Sequence, residues 1–296
     1  MAEREKKGDT GKRDGEQRIA KALARAGVAS RREAERMIEA GRVSVNGEVL
    51  KSPARNVAPT DVILLDGKPI AEPEPPRLWR YHKPGGLVTS ARDEQGRETI
   101  YDHLPEGLPR VMPVGRLDLT SEGLLLLTND GELKRRLELP STGWIRKYRV
   151  RVHGEPTEAK LKPLIDGITV EGVRYQPMLV AVDRQQGANA WLTVGLREGK
   201  NREIRRAMEA VGLPVTRLIR TAYGPFRLGE LPKGAVEEVR ARVMRQQLGL
   251  EVETPHAREK RARDGDTPSE RPAGDKRAAP RRRLKPSGRP RSSARD

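Results

Sequence analysis

Four consecutive leucines, Leu124 to Leu127, constrain the fold of this chain more than any other stretch. They are too few to span a membrane, and turn-forming residues flank them at Gly123 and at 129–131. An apolar run of this length between turn signals is typical of a strand that is buried on both faces. We therefore predict that the leucines form a central strand of a β-sheet.

The polar stretch ahead of the leucines contains Asp118, two residues after Arg116. A carboxylate so close to a guanidinium tends to stay ionised, which keeps it available as a nucleophile. In an ordinary loop the same two residues would form a surface ion pair. The residue types alone leave both interpretations open.

Composition narrows the partners and the chemistry. The formal charge of +17 and the pI near 10.4 indicate a polyanionic partner, and nucleic acid is favoured because no stretch is apolar enough for a membrane. The N-terminus lacks the apolar segment of a signal peptide and the chain has no cysteine, so we expect a cytoplasmic protein. The four histidines show no metal-ligand spacing, and we expect no metal site. Chemistry must then come from carboxylate, tyrosine, lysine or arginine side chains.

Residues 17–70 predict a small unit of two helices followed by short strands. Ile19 and Leu23 lie on one apolar helical face, Ser30 opens the second helix as the first residue of a capping box, and Asn46-Gly47 marks a hairpin turn. The polar positions of the unit are mostly basic, with seven candidate RNA-binding residues: Arg18, Lys21, Arg25, Arg31, Arg32, Arg36 and Arg42.

Two strings in this unit, Ala-Gly-Val-Ala-Ser-Arg-Arg-Glu-Ala-Glu at 26–35 and Gly-Arg-Val-Ser-Val-Asn-Gly at 41–47, resemble the S4 RNA-binding domain. In that family the two helices and the following hairpin hold structured RNA through its phosphates. The resemblance implies that the seven basic residues contribute affinity and position more than sequence reading. In a neutral protein the same charges would be only a solvated face.

Composition also sets the expected domain boundaries. Residues 1–16 are charged and nearly free of large apolar side chains, so we expect them to be disordered. The proline-rich segment 71–76 reads as a linker, and 77–250 as a second domain. Residues 251–296 predict a disordered basic tail, which either adds weak RNA affinity or only solvates the chain.

The whole segment 115–131, with its Gly-Arg-Leu-Asp string, closely resembles the active-site motif of RNA pseudouridine synthases, in the branch that modifies ribosomal RNA (the RsuA/RluB type). Three further segments resemble family motifs in the same order: residues 78–86, the strand beginning at Lys147-Tyr148, and Glu-Gly-Lys-Asn-Arg-Glu-Ile-Arg-Arg at 198–206, which opens a helix that we expect Asn201 to cap. The resemblance implies an α+β fold: a small S4 domain, then a catalytic domain with a mixed, mainly antiparallel sheet and flanking helices. The active cleft is expected to run across that sheet.

The resemblance also implies roles for four site residues. Asp118 corresponds to the catalytic aspartate, and Arg205 to the arginine that pairs with it. Tyr148 would stack on the target base and is a candidate general base. Arg116 is our candidate for filling the stack that the base vacates and for holding phosphates. Lys83, in the opening motif, receives no catalytic role.

The implied reaction is the isomerisation of uridine to pseudouridine within ribosomal RNA, either free or in an assembling particle. It needs no cofactor, and neither a Gly-x-Gly-x-x-Gly string nor a P-loop is present. We expect a monomer. The basic tail and residues 198–212 most resemble the members of the family that act on 23S RNA of the large subunit, and this resemblance implies a 23S substrate, with 16S RNA of the small subunit as the alternative. A noncatalytic S4-type ribosome-binding factor is the alternative from another class. The sequence does not choose between nucleophilic attack of Asp118 on the sugar and a glycal route.

Overall fold

The four leucines lie in the middle of a nine-stranded sheet, and all four side chains are fully buried. Leu125 and Leu127 pack into one hydrophobic core, and Leu124 and Leu126 pack into another. Because successive residues of a strand point to opposite faces, every position of the run must be apolar. The strand buried on both faces is confirmed.

The computed structural model describes residues 15–249, without the side chains of Pro140 and Arg245. The expected disorder of residues 1–14 and 251–296 lies outside the described residues. The N-terminal elements are β1 (Gln17–Arg18), α1 (Ile19–Arg25), α2 (Arg31–Glu39), β2 (Val43–Val45), β3 (Glu48–Val49), β4 (Asn56–Val57), β5 (Ile63–Leu65) and β6 (Lys68–Pro69).

These N-terminal elements have a hydrophobic core of their own, in which Ile19, Leu23 and Ile38 are fully buried. Ser30 begins α2 as expected, because its Oγ accepts a hydrogen bond of 3.2 Å from the backbone N–H of Glu33. The chain then has no helix or strand from residue 70 to residue 77, where the linker is predicted.

The remaining elements are β7 (Leu78–Lys83), β8 (Met112–Val114), β9 (Ser121–Thr128), α3 (Gly131–Glu138), β10 (Arg146–His153), α4 (Glu158–Asp166), β11 (Thr169–Val170), β12 (Val173–Arg174), β13 (Leu179–Gln186), β14 (Asn189–Leu196), α5 (Glu203–Ala210), β15 (Val215–Tyr223), β16 (Phe226–Arg227), β17 (Val236–Glu238) and α6 (Ala241–Leu248). Two 3₁₀ turns lie at Ile100–His103 and Pro140–Thr142. From the sequence we expect residues 237–248 to form one closing helix. The first part of that prediction is wrong, because residues 236–238 pair with β7 as an edge strand and the helix covers only 241–248.

The strand order of the large sheet is β13-β14-β10-β15-β9-β7-β17, with β8 added to β9 and β16 to β15. Every pairing is antiparallel except that of β9 with β15. The mixed, mainly antiparallel sheet and the α+β class are therefore confirmed. No helix between residues 15 and 249 is long and apolar enough to cross a membrane.

The parallel pairing of β9 with β15 is short, and it shapes the site. It joins only residues 121–123 to residues 218–220. Gly123 has a φ of +103°, and a Cβ there would lie 2.3 Å from the carbonyl oxygen of Arg220, so only glycine fits this approach. Asp118 comes three residues before β9 and therefore lies at the start of this junction.

Candidate active site

A cleft of about 490 Å³ lies at this junction, and three of the four expected site residues line it: Arg116, Asp118 and Tyr148. Asp118 is half-buried, Arg116 is exposed, and Tyr148 is buried with 9 % of its surface exposed. Tyr148 is in register with Val194 of β14 and Arg220 of β15, so the sheet fixes its position. The cleft thus brings a carboxylate, a phenol and a guanidinium together.

The loop that carries Asp118 is held by its own carbonyl groups. Lys83, fully buried at the end of β7, donates from Nζ to the carbonyl oxygens of Pro84 at 3.0 Å, Asp118 at 3.3 Å and Ser121 at 3.1 Å. Burial lowers the pKa of Lys83 to about 8, against the opposing attraction of Asp118 and Glu122. A residue to which we assigned no catalytic role therefore positions the loop.

Three more carbonyls of the loop accept hydrogen bonds, so that all five from 117 to 121 are engaged. The additional donors are Thr89 Oγ1 to Leu117 at 2.8 Å, the backbone N–H of Gly86 to Leu119 at 2.8 Å, and Arg205 Nη2 to Thr120 at 3.2 Å. Because the donors come from the turn after β7 and from α5, the backbone position of Asp118 is fixed by two separate segments. Such preorganisation is what a catalytic group requires.

Arg205 does not form the direct ion pair with Asp118 that the sequence led us to expect. Its Nη1 donates to the carbonyl oxygen of Val215 at 3.2 Å and its Nη2 to that of Thr120, while the buried Nε has no partner among residues 15–249. Burial lowers the pKa of Arg205, Arg202 lowers it further, and Asp118 raises it. Arg205 therefore acts on Asp118 through the loop backbone and at longer range.

Two further arginines that line the cleft lie close to the ring of a tyrosine. The guanidinium carbons of Arg146 and Arg220 lie 4.9 Å and 5.3 Å from the centre of the Tyr223 ring. Arg146 also donates to the Tyr223 hydroxyl oxygen at 3.2 Å and to the carbonyl oxygen of Arg197 at 3.0 Å. Our sequence reasoning missed both arginines. A signal was available for Arg220, because it is the one charged residue among the alternate residues of β15 that face inward, between Leu218 and Ala222.

A carboxyl pair lies in the wall of the cleft formed by the loop before α5. Glu203 is 3 % exposed, and its Oε2 accepts a hydrogen bond of 2.9 Å from the backbone N–H of Lys200. Burial raises the pKa of Glu203 to about 7, and the negative charge of Glu198 also raises it.

The prediction that Asn201 caps α5 is wrong. Arg202, with a φ of +49°, occupies the cap position of this helix.

The seven basic residues of the N-terminal unit divide into two groups. Four have protein partners: Arg18 with the carbonyl of Ala54 at 2.5 Å, Lys21 with Glu132, Arg25 with Asp130 at 3.8 Å, and Arg42 with Asp66 at 2.5 Å. The other three are exposed on α2 and form no ion pair within residues 15–249: Arg31, Arg32 and Arg36. In that part of the chain no group of three or more histidine and acidic side chains is placed to hold a metal ion.

Two family models match the chain, S4 domain over residues 17–63 and RNA pseudouridylate synthase over residues 77–210. An uncharacterized RNA pseudouridine synthase of Rickettsia prowazekii is 44 % identical over 231 residues, which are 78 % of this chain and 97 % of the relative. Ribosomal large subunit pseudouridine synthase B of Escherichia coli K12 is 44 % identical over 230 residues, 75 % of this chain and 79 % of the relative.

The crystal structure of a pseudouridylate synthase is also similar to this chain. It has a TM-score of 0.55 and 26 % identity, and the match covers 78 % of this chain and 99 % of that one. The sequence matches and the similarity of fold indicate the same family. The chain belongs to the RNA pseudouridine synthase family and carries an S4 domain.

Proposed function

We propose that this enzyme converts uridine to pseudouridine in ribosomal RNA of the large subunit, in the cytoplasm. One observation carries the catalytic part: Asp118 lies in a cleft on a loop whose five carbonyls from 117 to 121 are all hydrogen-bonded. The E. coli relative named for the large subunit supports the choice of RNA. Ribosomal RNA of the small subunit is the second candidate.

The reaction exchanges one bond to the ribose for another. The C1′–N1 bond breaks, the uracil turns within the cleft, and a C1′–C5 bond forms while C5 loses a proton and N1 gains one. We assign to Asp118 the attack on the sugar or the assistance of a glycal route, and to Tyr148 stacking on the uracil and removal of the C5 proton. No oxidant, reductant or group donor is consumed.

The target base must leave the RNA stack before it reaches Asp118, at a cost of about a few kcal/mol. Arg116 is exposed at the cleft and is our candidate for occupying the vacated position. The exposed arginines of α2 would hold phosphates of the surrounding RNA. We thus assign RNA binding to residues 17–70 and the isomerisation to residues 77–250.

The test is to incubate the purified protein with 23S RNA, 16S RNA and assembling subunits, each labelled with tritium at C5 of uridine. We expect tritium release from the 23S RNA or its particle. Release from 16S RNA alone would replace the large-subunit proposal by the small-subunit one. Binding without release from any of these RNAs would favour the noncatalytic ribosome-binding factor.

A further inference from the structure

Unpartnered polar atoms are concentrated at the cleft. Within residues 15–249, six buried side-chain nitrogen or oxygen atoms have no hydrogen-bond partner. Three of them belong to residues that line the cleft: Ser121 Oγ, Glu203 Oε1 and Arg220 Nη2. A buried polar atom without a partner costs free energy, so a cluster of them indicates groups that a ligand completes.

Arg220 is the charged member of this set that can only donate. It is 3 % exposed, and its Nε donates to the carbonyl oxygen of Leu124 at 2.7 Å. Among the described residues no carboxylate pairs with it. Its positive charge also helps to lower the pKa of the buried Lys83 nearby. Arg220 therefore brings to the cleft lining a buried positive charge and one nitrogen, Nη2, whose N–H groups have no partner among the described residues, which suits an oxygen acceptor.

The register of the sheet gives Arg220 a particular neighbour. It lies directly across from Tyr148 on β10 and from Gly123 on β9. Tyr148 is the residue to which we assign stacking on the uracil. A donor on the adjacent strand is then placed to meet the edge of a base that lies against that ring. The exposed Arg116, by contrast, is placed to meet phosphates at the rim.

We propose that Arg220 binds the target base by donating a hydrogen bond to a carbonyl oxygen of the extruded uracil. The inference rests on the proposed function, because it takes the cleft to be the place where the base turns. When the C1′–N1 bond breaks, the electron pair that stays on the uracil spreads onto O2 and O4, and a guanidinium at either oxygen stabilises it. A contact with O4 would also discriminate against cytosine, which carries an amino group at that position.

The test replaces one oxygen of the substrate at a time. The probe is the shortest ribosomal RNA stem-loop in which the wild-type protein forms pseudouridine, prepared with uridine, 2-thiouridine or 4-thiouridine at the target. The rate of isomerisation is followed by the chromatographic retention of the nucleoside after digestion. Sulfur is a weaker acceptor, so we expect kcat/KM of the wild type to fall about tenfold or more for one of the two thio-RNAs. The position that responds identifies O2 or O4.

The variant arm shows whether Arg220 makes the contact. We expect kcat/KM of Arg220→Lys on the uridine RNA to be about tenfold or more below that of the wild type. Its kcat/KM values on the three RNAs should differ from one another by less than about twofold. Arg227→Lys, an exposed arginine on β16, is the matched control and should retain the wild-type discrimination. Melting temperatures verify folding, and Arg220→Gln replaces the lysine variant if that variant does not fold.

Equal rates of the wild type on all three RNAs would overturn the proposal, and so would full thio-discrimination in both Arg220 variants. A third probe is the uridine RNA with a neutral methylphosphonate in place of a phosphate that flanks the target. The proposal would also be overturned if this replacement slowed the wild type but not Arg220→Lys. The last result would assign Arg220 to the RNA backbone. If the wild type turns over no ribosomal RNA, the proposed function fails. The same comparison is then made on binding affinities with full-length 23S RNA fragments carrying the three bases, and equal affinities would overturn the inference as well.

Discussion

Lys83 shows how a single buried charge organises the site. It is fully buried, and its three hydrogen bonds go to carbonyl oxygens, including that of Asp118. Carbonyl dipoles compensate only part of the cost of removing the ammonium from water, which is why its pKa is lowered. Burial of the ammonium thus costs stability, while its hydrogen bonds fix the position of the loop.

The lowered pKa of Lys83 predicts a pH-dependent term in stability. Its pKa is about 8 in the folded protein and 10.5 in the unfolded chain. Below about pH 8 both states are protonated and the folded state bears the full cost of the buried charge. Between about 8 and 10.5 the unfolded state binds more protons, so the stability of the wild type should rise with pH relative to Lys83→Met, by on the order of 1–3 kcal/mol.

Urea unfolding from pH 7 to pH 10 measures this difference, with the exposed Lys51→Met as a control that should follow the wild type. Parallel pH profiles of wild type and Lys83→Met would show that burial does not perturb Lys83. We also expect Lys83→Met to lower kcat more than RNA affinity, since the loop that carries Asp118 loses two of its donors.

At this scale the sequence predicted the residues that line the cleft better than the side chains that support them. Arg116, Asp118 and Tyr148 belong to strings with recognisable spacing, and the fold brings them into one cleft. The hydrogen bonds by which Lys83 and Arg205 hold the carbonyls of the Asp118 loop span 35 or more positions in the sequence. A carbonyl has no sequence signature, so this scaffold becomes visible only in three dimensions.

The two helices of the S4 segment do different things with their positive charge. On α1, Lys21 and Arg25 face acidic residues at the start of α3: Lys21 pairs with Glu132, and Arg25 lies 3.8 Å from Asp130. On α2, Arg31 and Arg32 are exposed. Phosphate binding should therefore depend on α2, while α1 contacts the catalytic part of the chain.

We predict that Arg31→Ala/Arg32→Ala weakens binding to ribosomal RNA and reduces the slope of log affinity against log salt by about 2, because two phosphate contacts and their counterion release are lost. Folding should not suffer, since both residues lie in the first turn of α2, where positive charge is unfavourable. Filter binding at salt concentrations from about 50 to about 300 mM, which include physiological ionic strength, measures the slope.

Lys21→Ala/Arg25→Ala removes the same formal charge and serves as the matched control. Because these side chains are committed to Glu132 and Asp130, we expect a smaller change of slope than in the α2 variant. Equal changes in the two double variants would mean that RNA contacts both helices. An unchanged slope in the α2 variant, with the fold intact, would mean that its arginines are only solvated.

Elements with strong local signals were predicted correctly, and elements that depend on tertiary contacts were not. The cap at Ser30 and the leucine run are the local signals of α2 and β9. The expected helix over 237–248 begins too early, because residues 236–238 pair with the edge of β7 and form β17. Arg202 takes the cap position in place of Asn201 because the loop before α5 turns through a left-handed residue.

For the whole molecule, the basic segment 251–296 is expected to contribute RNA affinity without contributing stability, because its composition offers almost no apolar side chains. Deleting it should leave the melting temperature nearly unchanged and weaken RNA binding modestly at low salt. Differential scanning calorimetry and filter binding measure the two effects. A large drop in melting temperature would show that the segment packs against the rest of the chain.

Replacement of Asp118 by asparagine is the most direct test of the proposed chemistry. Asparagine keeps the size of the carboxylate but cannot act as an anionic nucleophile or base. Because Asp118 is half-buried and forms no ion pair within the described residues, we expect Asp118→Asn to change the free energy of unfolding by less than about 1 kcal/mol. RNA affinity should stay within about a few-fold of wild type, since phosphate contacts dominate it.

Two aspartates provide controls. Asp130 caps α3 through hydrogen bonds of 2.9 Å and 2.7 Å from the N–H groups of Glu132 and Leu133. Asp102 lies within a 3₁₀ turn that Thr99 caps, and its Oδ2 accepts hydrogen bonds from the N–H of Thr99 at 2.7 Å and from its hydroxyl at 2.9 Å. Asparagine keeps an acceptor oxygen at both positions, so Asp130→Asn and Asp102→Asn should remain active. The measurement is tritium release from C5-labelled uridine in ribosomal RNA, beside a filter-binding titration of the same proteins. We predict no release from Asp118→Asn at nearly normal affinity; continued turnover by that variant would contradict the assignment of Asp118 as the catalytic residue.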